Sequence, residues 1–231
     1  MTDPVTSATE PFAQQTTADP VYRSGRVVVI HGIGANTIVM GPLARYLTRH
    51  EFTATRWGYW STFNGLRDHA RRLRLFLETF ADDDQPVHFV THSMGGIILR
   101  ATLAEMNWSR PGRAVLLAPP NHGSLVAGWF GMGLRGICPA LNEISAAPES
   151  LVHHLPPFPS MDIGVIGCRQ DALVAMASTF VANQRDHITV GCGHNWVLVK
   201  REVQAEVVHF LQFGRFSDSA DRLSADDCPV L

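Results

Sequence analysis

Ser93 is the residue of this chain best placed for chemistry. It stands in the run Val87-His88-Phe89-Val90-Thr91-His92-Ser93-Met94-Gly95-Gly96, after a mostly apolar stretch and before a helical one, Ile97-Ile98-Leu99-Arg100-Ala101-Thr102-Leu103-Ala104. A strand that turns sharply into a helix at a serine lifts the hydroxyl above the sheet and aims the helix N-terminus at the reacting atom. Gly95, two residues on, lets strand and helix approach closely. The position two before the serine, more often glycine in such a turn, is here Thr91. A serine so presented serves nucleophilic attack on a carbonyl, but only with a base beside it and a third group to orient that base.

Those partners must follow later strands, at the sheet edge where Ser93 sits, with the acid before the base in chain order. Of eleven histidines only His187, His194 and His209 come late enough. His187 opens a strand and lies at the wrong edge, and His209 falls within a helix. His194 follows a strand directly, in Gly191-Cys192-Gly193-His194-Asn195-Trp196, and is the expected base. Asp162 and Asp186 precede their strands, whereas Asp171 comes four residues after the run 163–167 and is the expected acid. Glu143 and Glu149, in an irregular stretch, are the alternatives. Backbone N–H groups must also meet the developing oxyanion. Met94, next after the serine, supplies one; Ile33, in His31-Gly32-Ile33-Gly34, supplies the other. His31 is expected to hydrogen-bond that loop rather than to ligate a metal, and no metal or cofactor is called for.

The elements that position these groups alternate. Arg26–Ile30 is a continuous β-branched run, suited to a central parallel strand covered on both faces. A helix ending near His50, a strand over 52–57 and an amphipathic helix with Leu66, Ala70, Leu73, Leu77 and Phe80 on one face follow. Arg67, Arg71, Arg72 and Arg74 occupy its solvated face. Strands over 113–118, 163–167 and 187–190 come after the Ser93 turn, and a last helix carries Val199, Val203, Val207 and Phe210. This order implies an α/β fold, a mostly parallel central sheet with helices on both faces. Residues 1–25 are expected to form a disordered leader, 26–213 the domain and 214–231 a flexible tail. The stretch 121–160 breaks the rhythm and would lie over the carboxyl ends of the strands, where such sheets bind ligands. Its Trp129, Phe130, Met132 and Leu134 are expected either to wall an acyl pocket or to pack the loop.

Composition bounds the partners. The chain has 231 residues, 45% hydrophobic and 17% charged, with a formal net charge of −2. That suits one globular domain and gives no electrostatic reason to bind nucleic acid. No apolar run is long enough to span a bilayer and no secretory signal is read at the start, so a cytoplasmic location is expected. Cys138, Cys168, Cys192 and Cys228 lack metal-site spacing. A Cys168–Cys192 bridge requires their strands to be neighbours.

With its glycine loop at 31–34, its serine turn, Pro119-Pro120-Asn121-His122-Gly123-Ser124, Asp171 with Val174, and His194, the chain resembles the α/β-hydrolases, in particular small bacterial lipases and esterases, over about residues 26–213. The resemblance implies a Ser93-Asp171-His194 triad with Ile33 and Met94 as oxyanion donors. It also implies hydrolysis of a small-molecule or lipid ester through an acyl-enzyme. The same triad would serve an acyltransferase or thioesterase, and a non-catalytic binding module is the remaining alternative.

Overall fold

The structure is a computed structural model and describes residues 22, 24–80, 85–107, 111–124, 126–127 and 138–223. Six strands, β1 (Gly25–Ile30), β2 (Phe52–Trp57), β3 (Val87–His92), β4 (Pro111–Leu117), β5 (Ile163–Cys168) and β6 (Asp186–Val190), form one sheet in the order β2-β1-β3-β4-β5-β6. Every pairing is parallel. β3, β4 and β5 lie in the middle, and apart from the first residue of β4 all their residues are buried. The apolar runs 114–117 and Ile163–Cys168 reflect cover on both faces, while β3 also buries His88, Thr91 and His92.

Four helices do most of that covering: α2 (Leu66–Glu78) and α3 (Met94–Ala104) on one face, α6 (Arg201–Phe213) with α1 (Gly41–Arg49) on the other. Leu66, Leu73, Leu77, Ile97 and Leu116 share the first core, and Val27, Leu43, Val115, Val207 and Phe210 the second. Arg67, Arg71 and Arg72 point to solvent, while Arg74 is half-buried and pairs with Glu78 at 3.6 Å. Two short helices, α4 (Pro139–Glu143) and α5 (Leu151–His154), punctuate the stretch 121–160. Among the described residues no helix is long and apolar enough to cross a membrane.

The ends of the domain differ from expectation. The tail does not begin at 214: Phe216 is fully buried against Phe210, and Thr189 and Leu223 donate backbone hydrogen bonds to Asp221 and to His187 respectively, pinning residues 217–223 along β6. Buried apolar area at Phe216 and an otherwise open sheet edge account for this. At the other end Tyr22, within the stretch expected to be a leader, lies under the Arg113 guanidinium, 4.1 Å from ring centroid to Cζ. Val199 precedes α6 rather than joining it, in a short 3₁₀ segment over Trp196–Leu198 and its cap.

Four histidines are held uncharged by burial. His69 and His187 are pushed down to about 4, His88 and His92 to about 3, in each case chiefly by desolvation. In the unfolded chain each would take up its proton near pH 6.5. The folded values lie below the unfolded one, so this contribution to stability is complete above about pH 6.5 and is lost as pH falls toward the folded values. The melting temperature is therefore expected to fall steadily from pH 7 to pH 5, measured by circular dichroism. A flat profile would mean that these rings are hydrated.

Candidate active site

Ser93 sits in the turn between β3 and α3 with φ 53° and ψ −128°. For a serine this is a strained conformation of the kind that persists only where surrounding structure over-determines it. Here the Ser93 N–H donates to the Leu117 carbonyl at the end of β4 (2.9 Å), and the Gly96 N–H to the Ser93 carbonyl (3.0 Å). Close packing demands the glycines around it. A Cβ on Gly95 would lie 2.6 Å from the His31 carbonyl oxygen, and one on Gly32 would lie 2.9 Å from Ser93 Cβ. Thr91 is accommodated because Gly96 faces it: a Cβ there would come within 3.2 Å of Thr91 Oγ1.

The acid and the histidine are brought together by the neighbouring ends of β5 and β6. Arg169 N donates to the Val190 carbonyl (2.9 Å) and Gln170 N to the Cys192 carbonyl (3.1 Å), so the two loops leave the sheet stitched together. Asp171 Oδ1 then accepts the N–H groups of Leu173 (2.8 Å) and Val174 (2.9 Å), and Oδ2 accepts from His194 Nδ1 at 2.6 Å. Burial acts to raise the Asp171 pKa. The bond from His194 and the two backbone amides outweigh it and hold the carboxyl below its usual value. The side chains are 2% and 8% exposed, so this pair is shielded from water.

Ser93 and His194 line one cavity of about 710 Å³. Ile33 lines the same cavity. Met94 opens α3 immediately after the serine, its side chain fully buried in the core. His31 holds the Ile33 loop. Its Nδ1 donates to the Gly32 carbonyl (2.8 Å), Nε2 accepts from Tyr59 N (3.3 Å), and its ring stacks on Tyr59 with centroids 4.3 Å apart. Burial lowers its pKa, in keeping with a neutral ring.

The other acids and histidines weighed from sequence lie elsewhere. Asp162 pairs with Arg113 (3.1 Å) and Arg185 (2.8 Å), and Asp186 accepts from Phe216 N. Glu143 accepts from Leu66 N and so fixes the start of α2, while Glu149 is exposed. His187 bonds Thr179 Oγ1 (3.2 Å), and His209 donates to the Arg215 carbonyl (2.8 Å). Cys168 and Cys192 are buried neighbours with sulfurs 3.7 Å apart and no bond between them, and burial raises both thiols. Trp129, Phe130, Met132 and Leu134 lie outside the described residues.

Two contributions escaped the sequence reading. His92, the residue before the serine, donates from Nε2 to the His194 carbonyl (3.0 Å) and so ties the nucleophile turn to the histidine loop. Its histidine type at that position was the only available signal. The cavity wall also draws on Ile38, Val39, Leu173, Trp196 and Val199, from loops after β1, β5 and β6. From the stretch 121–160 it takes Val126, Ala127, Leu141 and Ile144.

Comparison with known proteins defines the class. Residues 27–182 match the alpha/beta hydrolase family, and the chain belongs to it. No curated protein matches the chain in sequence. The mature Bacillus licheniformis lipase BlEst2 has a similar structure, with TM-score 0.68, 16% identity, and coverage of 84% of this chain and 92% of that one. The Legionella pneumophila phospholipase PlaB is similar at TM-score 0.61 and 18% identity over 74% of this chain, which spans about half of that protein's length (53%). YbtT, a type II thioesterase of the yersiniabactin pathway, is similar at TM-score 0.60 and 12% identity, over 82% of this chain and 92% of that one.

Proposed function

We propose that the protein is a serine hydrolase that cleaves carboxylic esters, with Ser93 as nucleophile, His194 as base and Asp171 as the group that orients it. The Asp171–His194 bond at the wall of a cavity that also contains Ser93 carries this reading. With Nδ1 engaged by the carboxylate, His194 presents Nε2 as the acceptor for the Ser93 proton, and it returns that proton to the leaving alcohol. The amides of Ile33 and Met94 meet the oxyanion. Water attacks the acyl-enzyme by the same base and regenerates Ser93.

Aliphatic residues dominate the cavity, and Ile38, Trp196 and Val199 at its rim are 74%, 69% and 46% exposed. An apolar acyl chain fits such a lining, and a rim open to solvent favours water as the acceptor over a second alcohol or thiol. Each buried methylene adds up to about 0.8 kcal/mol, roughly fourfold in affinity. Across p-nitrophenyl esters from acetate to laurate, kcat/KM is expected to climb by at least tenfold from acetate to octanoate. A profile that is flat, or highest at acetate, would remove the cavity from acyl recognition, and no turnover of any member would refute the esterase reading.

A further inference from the structure

Ser93 and His194 follow strands that do not touch. β4 and β5 stand between β3 and β6, a separation of three strand spacings, or roughly 14 Å. The backbone bonds between the loops after β5 and β6 set the acid against the base. They do not set the base against the nucleophile. His92, the last residue of β3, spans that gap. Its Nε2 donates to the His194 carbonyl (3.0 Å), and the two rings lie 4.8 Å apart between centroids.

The other side of the same ring meets the loop that carries Ile33. A Cβ built on Gly32 would fall 3.1 Å from His92 Nδ1 and 2.9 Å from Ser93 Cβ, so the Gly32 backbone packs directly on both. His92 is buried at the wall of the main cavity, and burial keeps its ring uncharged. With its one hydrogen on Nε2, the ring leaves Nδ1 a bare lone pair, and among the described residues no donor meets it. A buried acceptor without a partner costs stability, and an apolar ring of the same size would avoid that cost. Packing alone therefore does not account for a histidine here. The bond from its Nε2 does.

We propose that His92 is a positioning residue for the reaction at Ser93: it holds the His194 main chain where the base reaches the serine hydroxyl. The inference rests on the reading of Ser93 as nucleophile and His194 as its base. The proton taken from Ser93 and the proton returned to the leaving alcohol both pass through His194, so both transfers depend on where His92 holds it. A displacement of about 1 Å in such a site can cost on the order of 10²-fold in rate.

The test compares the parent with His92→Phe, which keeps a ring and removes the donor, and with His92→Gln, whose NH₂ stands as many bonds from the main chain as Nε2 does. Two esters of one acid are used. The leaving group of p-nitrophenyl octanoate departs without a proton, whereas that of ethyl octanoate needs one from His194. In kcat/KM, which reports acylation, His92→Phe is expected to lose about thirtyfold on the first ester and about a further tenfold on the second, the loss falling in kcat rather than KM. His92→Gln should stay within about fivefold of the parent on both. Should His92→Phe not fold by circular dichroism, His92→Asn, whose NH₂ stops short of the carbonyl, takes its place with the same expectations. A smaller folded fraction would cost both esters equally, and an equal loss would overturn the proposal. So would His92→Gln no better than His92→Phe. A parent that cleaves neither ester overturns the esterase reading and this inference with it. A parent that cleaves both, matched by His92→Phe, overturns this inference alone.

Discussion

Ser93→Ala is expected to lower kcat for p-nitrophenyl octanoate by on the order of 10⁶, because nucleophile and base act as a unit and the loss of either forfeits nearly the whole. The side chain is small and sits in a turn fixed by backbone bonds to Leu117 and from Gly96, so the fold should survive the change. Removing the hydroxyl does not relieve the φ of 53°, which alanine finds no easier than serine. The melting temperature should therefore move little while activity vanishes. Activity retained within tenfold of the parent would exclude Ser93 as nucleophile.

Asp171→Asn should lower kcat by up to about 10⁴ while the loop keeps its shape. The amide oxygen can still accept the N–H groups of Leu173 and Val174, which the carboxylate accepts at 2.8 and 2.9 Å. Facing His194, however, the side chain now offers an NH₂ where the ring needs an acceptor. The imidazole then settles with Nδ1 unprotonated and Nε2 bearing the hydrogen, the tautomer that cannot take a proton from serine. Asp162→Asn and Asp186→Asn act at the opposite edge of the sheet, on Arg113 and on the N–H of Phe216, and should change stability before activity. Steady-state kinetics of the three variants, each checked by circular dichroism, decides the matter. Greater damage from Asp162→Asn or Asp186→Asn in a folded protein would locate the acid elsewhere.

Much of this was legible in the chain because the relevant signals are local. The run Arg26–Ile30 marks a buried parallel strand by composition alone, and the strand–serine–glycine–helix order at 87–104 fixes the turn by the space its backbone needs. The strand-edge rule separated Asp171 and His194 from Asp162, Asp186 and His187 without any knowledge of distances. What stayed hidden depends on tertiary contact. Residues 214–223 look polar and tail-like, yet Phe216 finds a slot against Phe210 and the β6 edge finds backbone partners. The bond from His92 to the His194 carbonyl joins residues 102 apart in sequence, and no periodicity announces it. The cavity wall is assembled from four loops, so Ile38, Leu173 and Trp196 become neighbours only when the sheet brings their loops together.

The most direct test of the central claim is covalent. A fluorophosphonate reacts with a serine only where a base activates it and an oxyanion site receives the phosphoryl oxygen. Incubation of the parent protein followed by peptide mass mapping is expected to place one adduct, on Ser93, and labelling should slow sharply in Asp171→Asn. No adduct, or an adduct on another serine with Ser93 unmodified, would contradict the assignment of this site.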